Sequence, residues 1–266
     1  LCTALCSCRS RLSRQPPARL DRSRRTLGAM RTSQSNRDAG EGGGPAVTSR
    51  VRPRIAILNP NSTERMTTEM VDTARAAIDG LADVVGLTNH RGPASIQGPA
   101  DAERCLDGLF ALVDEARENG AHVAVIGCFD DTGLATLRST AGLPVVGLGE
   151  AGCLAGCLAA QHFAVVTSLD VSVPVIADNI RAMTLDARCA GIHASGVPVL
   201  ELNAGAESLR RVQDAIDRTA AAHPGCSIVL GCGGMTLIAN QITAPARSRI
   251  IDPVVASVHM ALAALS

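Results

Sequence analysis

From Arg54 onward, short aliphatic runs alternate with stretches whose apolar residues recur at helical spacing. Such alternation specifies repeated strand–helix units, and strands that are apolar throughout are those buried on both faces of a parallel sheet. The runs at 55–58, 84–88, 123–127 and 145–148 read as the strands of a first half. Those at 164–167, near Ile192, at 228–231 and at Ile250 and Ile251 read as the strands of a second. Between them, Met66, Met70, Ala74 and Ile78 mark the inner face of one helix, with Asn61 and Glu64 spaced as a capping box at its start. Ala102, Leu106, Leu109, Val113 and Ala116 mark a second helix closed by Gly120, and further helices are expected at about 174–185 and 206–222. A last helix from Pro253 is placed to fold back onto the first half.

The halves also end alike. VAVIGCFDDTG and SIVLGCGGMT each run from an apolar strand through a glycine into a cysteine, Cys128 and Cys232. Cys128 follows Asn59 by 69 positions and Cys232 follows Ser168 by 64, a spacing that suggests a duplication. The expected fold class is therefore α/β, with two pseudo-symmetric lobes of parallel sheet flanked by helices and an active site between them. The first lobe is expected at 51–148, completed by 246–266, and the second at 149–245. A chain of 266 residues buries about three-quarters of its unfolded surface, enough to need neither disulfides nor a structural metal.

Composition removes several chemistries. All 25 basic residues are Arg, so a Schiff-base lysine for pyridoxal phosphate and a phosphate-binding P-loop lysine are both excluded. Aromatic residues make up 1% of the chain, which argues against nucleic-acid recognition by stacking. The formal charge of zero conceals ten Arg against three acids in residues 1–50, a tail of +7 ahead of a body of −7. Residues 1–50 read as a disordered Arg-rich tail without a function of its own, and the first methionine is Met30. No secretory pattern and no long apolar run is seen, so no membrane association is expected. Scattered cysteines without zinc spacing point to a reducing cytoplasm.

In open α/β sheets the functional edge lies beyond the carboxyl ends of the strands, where both cysteines stand. A thiol beside amides that open a helix can have its pKa lowered, and the amides after each cysteine can hold a developing enolate oxygen. These belong to Phe129 and Asp130 on one side and Gly233 and Gly234 on the other. Removing a proton beside a carbonyl needs a base on one face of the carbon, and inversion needs an acid on the other, so a thiolate and a thiol suffice. Cys105, Cys153, Cys157, Cys189 and Cys226 read as core residues. Asp130 and Asp131 read as caps of the following helix, with orientation of a substrate amide as the alternative for both.

Six segments resemble, in order, the hydantoin racemase branch of the aspartate/glutamate racemase superfamily over about residues 54–266. They are IAILNPNST, GPASI, IGCFDDTGL, PVVGLGEA, VPVLEL and LGCGGM. The resemblance implies a two-lobed fold with no metal and no cofactor, and Cys128 and Cys232 as the acid/base pair. It places substrate polar groups against Asn59, Ser62 and Thr167, and Glu150 at the lobe junction. The expected reaction is inversion of the carbon next to a carbonyl in a 5-substituted hydantoin or allantoin. The expected partner is a small-molecule substrate, with no nucleic acid and no membrane, and homo-oligomers are common among such proteins. Two alternatives stand beside it: an amino-acid racemase or arylmalonate-type decarboxylase on the same fold, and a non-catalytic two-lobed binder. No Arg adjoins either cysteine motif, which favours a neutral ring over a carboxylate.

Overall fold

A computed structural model describes residues 52–203, 205–246 and 248–265; the Arg-rich segment 1–50 lies outside the described residues. The first sheet has the strands β1 (Arg54–Asn59), β2 (Asp83–Thr88), β3 (Val123–Ile126) and β4 (Val145–Gly147), in spatial order β2-β1-β3-β4. The second has β5 (Phe163–Thr167), β6 (Cys189–Ala194), β7 (Ser227–Leu230) and β8 (Ile250–Ile251), in order β6-β5-β7-β8. The same order recurs, and every pairing is parallel.

Equivalence extends to single hydrogen bonds. Leu58 faces Ile126 and the Gly127 amide donates to the Leu58 carbonyl at 2.8 Å; Val166 faces Leu230 and the Gly231 amide donates to the Val166 carbonyl at 2.7 Å. Cys128 and Cys232 thus leave matching positions of matching strands. The partner of Asn59 in this symmetry is Thr167, one residue earlier than the spacing of the sequence motifs suggested.

Strand side chains alternate between two helical layers, as a doubly covered sheet requires. In the first lobe Ile55, Ile57, Val123 and Val125 pack against α1 (Glu64–Ile78) and α7 (Pro253–Ala263). Ala56, Leu58, Ala124 and Ile126 pack against α2 (Pro99–Glu118) and α3 (Leu134–Thr140). In the second lobe Ala164, Val166, Ile228 and Leu230 face α6 (Ala206–Ala222), and Phe163, Val165 and Val229 face α5 (Val173–Ala182). Met66 of α1 joins the core of the second lobe, and so does Phe129, so the lobes interlock.

The glycine- and alanine-rich stretch after β4 forms α4 (Leu148–Ala159), which leads from the first lobe to the second. Its small residues let it lie close to its neighbours. A Cβ on Gly152 would stand 2.9 Å from Val229 Cγ1, and one on Gly156 2.9 Å from the Phe163 Cβ. The closing segment is divided rather than given whole to the first lobe. β8 joins the second sheet beside β7, whereas α7 contributes Val254, Val258 and Ala261 to the first lobe's core. Asp252 alone joins them, and its carboxylate caps α7 by accepting from the Val254 amide at 2.8 Å.

Two local expectations differ. No capping box forms at α1: Asn61 Oδ1 accepts from the Thr63 amide at 2.9 Å in a tight turn, and Thr63 is the residue that precedes the helix. Asp131 does cap a helix, but a distant one. Its two carboxylate oxygens accept from the amides of Gly149 at 2.9 Å and Glu150 at 2.7 Å, at the start of α4. Burial in that place pushes the Asp131 carboxyl up to about 7.

Candidate active site

Beyond the carboxyl ends of β3 and β7 lies a small cavity, with a volume of about 30 Å³. Cys128, Phe129 and Asp130 line it from one lobe, and Gly231, Cys232 and Gly233 from the other. Asn61, Met66 and Ile96 close it from the first lobe; Ser168, Ser172 and Val199 close it from the second. Glycine at the strand ends is needed for this approach. A Cβ on Gly233 would come 3.2 Å from Met70 Sδ and 3.4 Å from the Gly127 carbonyl of the opposite lobe. A Cβ on Gly231 would sit 2.7 Å from Val165 Cγ1 and 3.0 Å from the Thr167 Cα.

The two sulfurs sit in different local frames. Cys232 directly precedes a 3-10 helix, Gly233–Gln241, and the amides of Gly234 and Met235 donate toward its sulfur. Cys128 receives the amide of Asp130, but α3 starts only at Leu134, so no helix opens at this thiol. These donors were expected to bring a thiolate near neutrality. Desolvation outweighs them: burial pushes Cys232 up to about 11 and Cys128 well above the ordinary thiol value. The Asp130 carboxylate adds to the rise at both, and Cys232 adds to it at Cys128. Amides that donate to sulfur serve the thiols before they can serve a substrate oxygen.

Asp130 is 7% exposed, and burial lifts its carboxyl to about 6 against a hydrogen bond from Ser172. Its backbone carbonyl accepts from Asn179 Nδ2 of α5 at 2.7 Å, which fixes the turn after Cys128 against the second lobe.

Of the remaining residues anticipated to touch substrate, Asn59, Ser62, Thr167 and Gly234 do not line the cavity. Asn59 is fully buried and its amide is spent on the loop. Nδ2 lies 3.1 Å from Asn61 Oδ1, 3.2 Å from the Thr63 carbonyl and 3.0 Å from Thr67 Oγ1, and Oδ1 accepts from the Asn61 amide. The Thr167 hydroxyl donates to the Gly231 carbonyl at 2.9 Å, and the Ser62 amide donates to Pro93. Gly234 packs behind the sulfur of Cys232 against Leu202 and Met66. Glu150 pairs with Arg138 of α3 at the start of α4, in a groove that Asn179 and Met183 of the second lobe also line, so it stands where the lobes meet but away from the cavity.

Sequence reading missed Asn61, Ser168 and Ser172. Asn61 is 4% exposed, and beyond its loop bonds the amide nitrogen has only Met66 Sδ at 3.8 Å, which leaves a donor at the cavity. Its place just past a strand end was the available signal, overridden by the capping pattern.

The family model described as Asp/Glu/Hydantoin racemase matches residues 55–261. A hydantoin racemase from Rhizobium meliloti is 32% identical over 212 residues, covering 79% of this chain and 88% of that protein. Among solved structures, an allantoin racemase from Klebsiella pneumoniae superposes with a TM-score of 0.75 at 31% identity, covering 80% of this chain and 87% of that one. A glutamate racemase from Bacillus anthracis, at 17% identity and a TM-score of 0.63 over 81% of this chain and 82% of that one, shares the fold. Two lobes of identical strand order, six motifs in sequence and these relatives lead to one assignment: the chain belongs to the Asp/Glu/Hydantoin racemase family and is a racemase, an isomerase.

Proposed function

We propose that this racemase inverts the carbon beside a carbonyl in a 5-substituted hydantoin or in allantoin, with Cys128 and Cys232 as a two-thiol acid/base pair. One observation carries the reading: equivalent strand ends of two equivalent sheets deliver a cysteine each to one small cavity. One sulfur, as thiolate, takes the proton from the ring carbon and the electron pair moves onto the carbonyl oxygen as an enolate. The opposite thiol returns a proton to the other face and is left as the thiolate, so the reverse reaction exchanges the roles. Asn61 Nδ2 is the neutral donor placed to meet the enolate oxygen. The site lies between the lobes, with β1 to β4 and α7 on one side and β5 to β8 on the other.

Relatives named for hydantoin and for allantoin support a cyclic ureide as substrate. All seven cysteines among the described residues are free thiols, which fits a cytoplasmic location, and no described helix is long and apolar enough to cross a membrane.

Polarimetry on Cys128→Ala and Cys232→Ala with single hydantoin and allantoin enantiomers tests the assignment. Each variant should lose inversion by a factor on the order of a hundred or more, the scale of a missing acid or base. In deuterated solvent each should exchange the proton of one enantiomer only, and opposite ones. Because both thiols are held protonated at neutrality, kcat/KM of the parent protein should rise between pH 6.5 and 8. Inversion at the parent rate in either variant overturns the pair.

A further inference from the structure

A cyclic ureide and an amino acid differ in what they show a binding site. The ring offers N–H donors beside carbonyl acceptors and carries no charge; the open-chain acid brings a carboxylate, all acceptor and negative, to the reacting carbon. The cavity is built for the first kind. Among its lining residues Asp130 alone carries a carboxylate and none carries a cationic group, and Asn61, Ser168 and Ser172 supply the neutral polar atoms. Asp130 is nine-tenths buried there, with its carboxyl oriented by the Ser172 hydroxyl. One hydrogen bond leaves acceptor positions open on a carboxylate, which can take about four. Its field reaches both sulfurs, so it also reaches a carbon held between them.

We infer that Asp130 is the charge filter of this cavity: it accepts a ring N–H of an uncharged cyclic ureide and repels ligands with a carboxylate on or beside the reacting carbon. The inference rests on the racemase reading of the same cavity and adds the residue that fixes its substrate class. Selectivity of this sort comes from a repulsive element as much as an attractive one. The same negative charge disfavours a thiolate at Cys128 and at Cys232, so discrimination is gained against ease of ionisation.

The filter is titratable. The groups facing Asp130 are Cys128 on its own loop, Cys232 and the Ser172 hydroxyl, with Asn179 on its backbone carbonyl. Asp131 is turned away onto the amides of Gly149 and Glu150. Both thiols stay protonated through the acid range, which leaves the Asp130 carboxyl as the group lining the cavity that changes charge near pH 6.

Two ligands that differ in one charge test this: 5-isobutylhydantoin and 5-carboxymethylhydantoin. Racemisation of both is followed as a function of pH, and calorimetric binding of both at pH 8 and pH 5, on the parent protein, Asp130→Asn and Ser172→Ala. The parent should favour the neutral ring, and Asp130→Asn should cut that preference by about tenfold or more, through KM, the scale on which removing a like charge acts. Its kcat/KM profile should also move to lower pH, because the charge that adds to the effect of burial at both thiols has gone. Ser172→Ala keeps the charge and should keep the preference. The parent should bind the anionic ring more tightly at pH 5 than at pH 8, and Asp130→Asn should not.

An unchanged preference and an unchanged pH profile in Asp130→Asn overturn the filter while leaving the two-thiol reading intact. Charge-dependent binding with no turnover of either ring upholds the filter and removes the two-thiol reading. Binding of neither ring by the parent overturns both.

Discussion

The loop after β1 and the loop after β5 occupy equivalent places, yet they are held in opposite styles. In the first lobe one buried amide, Asn59, gathers Asn61, Thr63 and Thr67 into a network, extended by a 2.6 Å contact between the Thr67 and Thr88 hydroxyls. In the second lobe the Thr167 side chain makes a single bond, to the Gly231 carbonyl, and the loop is otherwise held through its backbone, the Thr167 and Ser168 carbonyls accepting from the Ser195 and Gly196 amides beside the close packing around Gly231. The turns that follow the cysteines differ as well: Phe129, Asp130 and Asp131 bring aromatic bulk and charge, whereas Gly233 and Gly234 bring neither. A duplicated frame fixes where the sulfurs go; what fills each copy fixes how the site treats charge.

Four substitutions probe that contrast. Asn59→Ala leaves several buried groups without a partner and should cost about 2–4 kcal/mol of unfolding free energy in a urea titration, the sum of such penalties. If it costs no more than a surface change, the network does not hold the first lobe's loop. Gly231→Ala must push its Cβ against Val165 and the Thr167 backbone, an overpacking of about 2 kcal/mol, while Gly127→Ala meets mainly the flexible end of Met70 and should cost about half as much. Equal losses would show that packing is no tighter on the second side. Thr167→Val keeps the shape and removes one hydrogen bond, with an expected loss of about 1 kcal/mol by the same titration. A loss matching that of Asn59→Ala would erase the distinction between the two loops.

Much of this was legible from the chain alone, for physical reasons. α6 has the bounds expected from its spacing, and α1 buries the four anticipated side chains, because each has one apolar face and a polar remainder. α4 gave no such cue, since LGEAGCLAGCLA is apolar or small nearly all round and its period is hidden. The cysteines stood out by repeating a context. The cavity wall did not, because Met66, Ile96 and Val199 reach it from segments far apart in sequence. Asp131 shows the same limit: its capped helix starts seventeen residues downstream, at Leu148, and only folding brings them together.

The split ending of the chain has a mechanical consequence. The backbone passes between lobes once through α4 and returns through Asp252, and α4 and α7 pack on each other. Two tethers side by side, with Met66 and Phe129 of the first lobe seated in the core of the second, hold the halves to one alignment across the cavity that both sulfurs line. Neither half is a self-sufficient fragment. Severed after β8, the protein would keep eight strands while the first sheet lost a wall of its hydrophobic interior.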